Sequence, residues 1–112
     1  MKLISWNVNG IRAIVKKEFQ KDMEALDWDV LCLQETKAQV DQTVEAIPFF
    51  HKYEVIANHA VKKGYSGTAI ISKQQPESIS HDMGIEEHDL EGRLICIDYG
   101  TFYLINVYVP NS

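Results

Sequence analysis

Residues 2 to 35 run strand, helix, strand, and that order limits the chain to a small set of folds. From Lys2 to Asn9 the residues Ile4, Trp6 and Val8 alternate with Leu3, Ser5, Asn7 and Asn9, which places one set on each face of a strand, and Gly10 breaks the pattern. Between Arg12 and Leu26 the apolar positions Ile14, Val15, Phe19, Met23 and Leu26 recur at helical spacing, with Lys16, Lys17, Glu18, Lys21 and Asp22 around the rest. Residues 29 to 35 read as a second strand. A helix lying on a sheet between two strands predicts parallel neighbours, so the fold class is α/β.

The pattern continues with a short helix over Val40 to Ala46, stopped by Pro48, and a strand over Tyr53 to Asn58. KKGYSG, residues 62 to 67, is a glycine-bearing loop that leads into a buried strand at Thr68 to Ile71. Ser78 to His81 reads as an edge strand and residues 82 to 92 as an acidic loop. Leu94 to Asp98 and Phe102 to Val109 form a hairpin around Tyr99 and Gly100. Both faces of its second strand are rich in apolar side chains. A strand followed by Pro110 and Asn111 normally leads into further structure, so residues 1–112 are expected to form one incomplete domain.

With 112 residues, 46% hydrophobic and 24% charged, the chain has the composition of a folded domain with a core. Its apolar runs are too short to cross a bilayer, and Asn7, Asn9 and Arg12 interrupt any signal-peptide core, which excludes membrane spanning and export from the expectations. Cys32 and Cys96, each inside an apolar run and without a C-x-x-C partner, suit reduced thiols and a cytoplasmic location. A net charge of -5 argues against a passive nucleic-acid binder, but not against an enzyme that meets phosphate through a cation held by carboxylates.

LCLQETK carries the chemistry. Leu31, Cys32 and Leu33 belong inside a sheet, and Glu35 follows with no Gly, Pro or Asn to mark a turn. In sheets with parallel strands, ligands gather at the carboxyl ends, which would bring Asn7, Glu35 and Tyr108 to one rim. Glu35 could bind a hard cation such as Mg²⁺, which accepts one or two carboxylates when substrate phosphate supplies other oxygens. Asn7 could orient a water or a carboxylate, or shape the turn before Gly10. Tyr108 could bond a phosphate oxygen or simply pack. Lys62, Lys63 and Tyr65 resemble a phosphate-touching loop. His81, Asp82, Glu86, Glu87, His88 and Asp89 match no zinc spacing and read as a solvated acidic loop, and His51 and His59 as surface or strand-edge residues.

Five segments in order, SWNVNGIRA at 5 to 13, LQETK at 33 to 37, KKGYSGTAIISK at 62 to 73, EGR at 91 to 93 and NVYVPNS at 106 to 112, closely resemble the exonuclease III type of apurinic/apyrimidinic endonuclease of the endonuclease/exonuclease/phosphatase superfamily. The resemblance implies half of a four-layered α/β sandwich and a Mg²⁺-dependent site, Mn²⁺ being an alternative ion. It implies incision of double-stranded DNA 5′ of abasic sites, with 3′ to 5′ exonuclease and 3′-phosphatase activity at 3′ ends. Carried over by motif, Glu35 is the metal ligand and Asn7 belongs to the network around metal and nucleophile. Tyr108 contacts the scissile phosphate, with Asn111 shaping the same wall, while Lys63, Tyr65 and Arg93 support the DNA-facing loops.

Members of that family are about twice as long, and their second half carries Gly-Asp-Phe-Asn and Ser-Asp-His motifs that activate water and protonate the leaving group. Neither motif occurs here; Ser80, His81 and Asp82 hold the right residue types in another order. Three expectations follow: a partner in the form of a complementary C-terminal half or of self-association, an apolar sheet face meant for a missing sheet, and, as the alternative to catalysis, a truncated half that binds DNA or a complementary chain without cutting.

Overall fold

The computed structural model describes residues 1–81 and 91–109. Strands β1 (Leu3–Asn7), β2 (Val30–Gln34), β3 (Glu54–Asn58) and β4 (Thr68–Ser72) form one sheet in the order β1-β2-β4-β3. β1 and β2 are parallel, as the opening pattern predicts, with Leu3 opposite Val30 and Asn7 opposite Gln34. β4 runs antiparallel to both β2 and β3, so the sheet is mixed. A second, antiparallel sheet holds β5 (Ser78–Ser80), β6 (Leu94–Asp98) and β7 (Tyr103–Val107).

The first sheet has two buried faces, which is why β2 and β4 read as continuous apolar runs. Leu31, Leu33, Ala69 and Ile71 face a helical layer and pack with Ile11, Phe19, Met23 and Phe50. Val30, Cys32 and Ile70 face the second sheet and meet Ile95, Ile97 and Tyr99. Ile95 and Ile97 are fully buried, and each contributes about 1.5–3 kcal/mol through that burial. Cys32 and Cys96 are free thiols, the first buried.

Polar side chains stitch the two sheets together. Asn106 of β7 donates from Nδ2 to the carbonyls of Leu33 (3.0 Å) and Ala69 (2.9 Å). Gln34 Nε2 donates to Asn106 Oδ1 at 2.8 Å and to Ser5 Oγ at 2.9 Å. Asn58 Nδ2 reaches the Leu94 carbonyl at 2.9 Å, Thr68 Oγ1 donates to the Gly92 carbonyl at 3.1 Å, and the Ser72 and Tyr99 hydroxyls lie 2.8 Å apart. Buried polar atoms that find partners in this way fix the register of one sheet on the other, because any slip would leave them unpaired.

Two expectations need correction. The single helix expected over Arg12 to Leu26 is two helices, α1 (Ile11–Ile14) and α2 (Phe19–Ala25), joined by a turn. No Gly or Pro marks the break. Helices this short depend on tertiary packing, and here Phe19 decides: its ring stacks on Trp6 at 5.5 Å and meets Phe49 and Phe50 at 6.3 and 6.2 Å. The helix at 40–46 forms as expected, as α3 (Val40–Ala46).

The second correction concerns the apolar face. Strands of both sheets are present and pack on each other, because the chain crosses from β4 to β5 and builds the second layer itself. Exposed apolar residues along β1 and β7 are Leu3, Tyr103, Ile105 and Val107, and others, such as Val61, Ile79 and Val109, lie elsewhere on the surface. Among the described residues, no helix is long and apolar enough to cross a membrane.

Candidate active site

Asn7 ends β1, Gln34 ends β2, Thr68 begins β4 and Tyr108 follows β7, and these ends meet at one rim. The three segments around Asn7, Glu35 and Gly67 are laced by backbone bonds. Val8 N–H donates to the Gln34 carbonyl at 3.0 Å, Gly10 to Glu35 at 2.8 Å and Ile11 to Thr36 at 2.9 Å. Thr36 donates to Gly67 at 3.1 Å and Lys37 to Ser66 at 2.8 Å.

That lacing holds unusual backbone. Asn9, Glu35, Lys37 and Ser66, with φ of 48°, 58°, 53° and 55°, are all the non-glycine residues of positive φ among those described, and all four belong to this rim. Each left-handed residue costs about 1–2 kcal/mol, which the surrounding hydrogen bonds must offset. Glu35 therefore turns out of the strand without a turn residue. Gly67, at φ 89°, packs flat on Thr36, where a Cβ would collide with Thr36 Oγ1.

Tyr108 donates its hydroxyl proton to Glu35 Oε2 at 2.7 Å. This bond holds the phenol above its ordinary pKa; burial and the negative charge of Glu35 add to the rise, Tyr65 contributes, and the positive charge of Arg93 opposes it. Arg93 is half-buried, and its Nε is enclosed with no hydrogen-bond partner among the described residues. Tyr65 is partly exposed, with Lys62 Nζ 5.6 Å from its ring centre. Asn7 is exposed, and its Oδ1 accepts from the Asn9 N–H at 3.0 Å.

Beside this rim lies a groove of about 470 Å³ lined by Asn9, Gly10, Arg12, Lys16, Lys37 and Gly64. Lys37 Nζ donates to Asn9 Oδ1 at 2.7 Å, and Arg12 Nη2 donates to the Lys37 carbonyl at 2.8 Å. Three cations around one groove, on a chain of net charge -5, make a local positive field next to Glu35.

The sequence matches the model of the endonuclease/exonuclease/phosphatase family over residues 4–112. The chain belongs to that family. It is 50% identical over 113 residues to an exodeoxyribonuclease of Bacillus subtilis, covering 100% of this chain and 44% of the relative. It is 42% identical over 116 residues to the DNA repair nuclease APEX1 of Danio rerio, covering 100% of this chain and 37% of that protein. Among solved structures, an AP endonuclease from Archaeoglobus fulgidus superposes with a TM-score of 0.78 at 33% identity, over 98% of this chain and 41% of that one. The catalytic domain of Xenopus laevis APE2 gives 0.79 at 28% identity, over 100% and 46%. The chain thus spans less than half the length of the relatives it matches. Its helical layer and two sheets belong to the family's four-layered α/β sandwich, of which the chain supplies under half by length.

Of the residues singled out in the sequence, the family fold brings Glu35 and Tyr108 into contact and sets Arg93 and Tyr65 close enough to act on the phenol. Asn7 stands on the same rim, and Lys63 is exposed on the 62–67 loop. Asn111 lies outside the described residues, as do Asp82, Glu86, Glu87, His88 and Asp89. His51 is exposed; His59 Nδ1 accepts from the Val40 N–H at 3.2 Å, which suits a strand-edge role. Arg12, Lys37 and Asn106 were missed as individuals, although each sits inside one of the five resembling segments.

Proposed function

We propose that this chain carries the metal- and phosphate-facing half of a DNA-repair phosphodiesterase of the exonuclease III type, acting on double-stranded DNA at abasic sites and 3′ ends. The observation that carries the reading is the Tyr108–Glu35 hydrogen bond at 2.7 Å beside a groove lined by Arg12, Lys16 and Lys37. On this reading the whole enzyme incises 5′ of abasic sites and has 3′ to 5′ exonuclease and 3′-phosphatase activity. Two free thiols are consistent with a cytoplasmic location.

The donor set fits a hard divalent cation that keeps most of its waters. Among the described residues no group of three His, Cys, Asp or Glu side chains is placed to hold a metal, so a closed protein cage is absent there, but Glu35 offers carboxylate oxygens at an open rim. Glu35 would hold Mg²⁺ or Mn²⁺, and the ion would supply Lewis acidity toward a phosphate oxygen. The chain's own groups do the rest of what is possible here. Tyr108, whose one hydroxyl proton is donated to Glu35 here, would turn it to a phosphate oxygen once Glu35 holds the cation, and Arg93 adds a positive charge near that hydroxyl. Asn7 fixes the turn behind the rim through Asn9. Arg12, Lys16 and Lys37, with Lys63 and Tyr65 on the neighbouring loop, would position flanking phosphates without reading bases. Asn111 would extend the Tyr108 wall.

A second reading, a half-domain that binds DNA without cutting, is favoured by the absence of a metal-type cluster of three His, Cys, Asp or Glu side chains around Glu35 among the described residues. A labelled duplex with one abasic-site analogue separates the two, comparing this chain with Glu35→Ala in Mg²⁺ and in chelator. Metal-dependent incision that the substitution abolishes supports the enzyme reading for this chain alone. Binding without incision supports the second, and neither binding nor incision sinks both.

A further inference from the structure

Three successive carbonyls, those of Gly92, Arg93 and Leu94, are each taken by a donor from a different element. Thr68 Oγ1 of β4 donates to Gly92 at 3.1 Å, the Tyr108 N–H to Arg93 at 2.8 Å and Asn58 Nδ2 of β3 to Leu94 at 2.9 Å. Asn58 and Thr68 stand opposite each other in the β3–β4 register, at the end of the first sheet, so the two side chains reach the second sheet side by side.

The topology explains why side chains and not a strand do this. β5 pairs with β6 only between Asp98 and Cys96, so the edge of the second sheet beside Leu94 has no strand partner among the described residues. The Asn58 amide also donates to the carbonyl of His81, just past β5, and so ties the end of that strand to the start of β6. Thr68 is fully buried, where a hydroxyl that lost its acceptor would go unpaired. Gly92 lies flat on the His59–Ala60 peptide: a Cβ there would come within 2.3 Å of the His59 carbonyl carbon, backbone that cannot easily move aside.

Arg93 is what this grip holds. Its own carbonyl is fixed by Tyr108, whose hydroxyl meets Glu35, and the carbonyls before and after it are fixed by the first sheet. A guanidinium on a free loop loses rotamer entropy when it meets a ligand, whereas one on a gripped backbone arrives ordered. The Arg93 Nε is enclosed and has no hydrogen-bond partner among the described residues, so a donor of the fork is kept out of bulk water and left unused by the chain itself.

We propose that Asn58 and Thr68 are positioning residues of the candidate site, which grip the backbone on either side of Arg93 and so aim its guanidinium at an oxyanion bound beside Tyr108 and Glu35. The identity of that oxyanion as a phosphate rests on the nuclease reading above; the grip does not.

The test follows the Arg93 Nε–H signal by NMR in the free chain, with inorganic phosphate as the probe. In the unaltered chain this proton should exchange with water about tenfold or more slower than that of a free arginine. Thr68→Val keeps the shape and loses the hydroxyl, and Asn58→Leu removes the amide. Each should bring the exchange back toward the free-arginine rate and weaken the apparent phosphate affinity about threefold or more, while Thr68→Ser, which keeps the donor, should restore both. A loss of stability in Thr68→Val with the Arg93 signal unchanged would make the role structural only and overturn the proposal. So would an Arg93 proton in the unaltered chain that exchanges as fast as free arginine, a result that stands even if a variant fails to fold. Phosphate that leaves the unaltered chain's Arg93 signal unmoved, with the variant effects on exchange intact, sinks the phosphate reading and supports the grip alone.

Discussion

Tyr108 and Glu35 are 73 residues apart in sequence and 2.7 Å apart in space, and the phenol is the donor. Their meeting depends on the two sheets being in register, because Tyr108 follows β7 of the second sheet while Glu35 follows β2 of the first. Tyr108→Phe keeps the ring and removes the donor. Its cost in stability should be at most about 1.5 kcal/mol by urea denaturation, the scale of one net hydrogen bond. In an incision-competent assembly kcat should fall about 10²-fold with KM little changed, as expected for a group whose bond strengthens in the transition state.

Asn106 is the clamp that makes that meeting possible. Asn106→Ala removes the donor that reaches the carbonyls of Leu33 and Ala69 between the sheets and leaves the Gln34 amide with Ser5 Oγ as its remaining close acceptor. Unfolding free energy should drop by about 2–4 kcal/mol, whereas Ile105→Ala, one residue earlier on the exposed face, should stay within about 0.5 kcal/mol. Equal effects at the two positions would show that the clamp contributes nothing.

Gly64 and Gly67 share a left-handed backbone, at φ 72° and 89°, and differ in surroundings. A Cβ at Gly64 meets nothing within 4 Å, while one at Gly67 strikes Thr36. Gly64→Ala should therefore cost about 1 kcal/mol from backbone strain alone. Gly67→Ala should cost clearly more and should disturb Glu35, seen as chemical-shift changes at residues 34–37.

Stability should decline on the alkaline side. Burial pushes the Cys32 thiol from 9.0 up to about 11, burial raises the Tyr99 phenol, and the bond to Glu35 raises Tyr108. A pKa raised in the folded state means that the folded chain holds protons the unfolded chain has already lost. The contribution of Cys32 is thus complete below about pH 9 and disappears as the pH rises through 11. Two units correspond to about 2–3 kcal/mol, so in denaturant titrations from pH 8 to 11 Cys32→Ala should show a shallower decline than the parent.

The strand pattern was readable because periodicity reports burial. β2 and β4 are apolar throughout because both their faces are covered, and LICID alternates because Ile95 and Ile97 face the core. The break between α1 and α2 was not readable, since it is decided by where the ring of Phe19 finds Trp6 and not by any residue at positions 15–18. The rim was legible in its residue types but not in its backbone. Glu35 and Lys37 take left-handed angles that a sequence ordinarily signals with glycine, and bonds from other segments, such as those from Gly10 to Glu35 and from Lys37 to Ser66, hold them there. Asn106 looked like one more strand residue, because a clamp on another sheet's carbonyls leaves no local pattern.

The central claim is that Glu35 marks the cation-binding point of this rim, and a titration with Mn²⁺ followed by NMR line broadening tests it without requiring the chain to cut DNA. The account predicts broadening centred on residues 7, 34–36 and 108, lost in Glu35→Gln, and competed away by Mg²⁺. Broadening centred on the acidic 82–92 segment and unchanged by Glu35→Gln would contradict it.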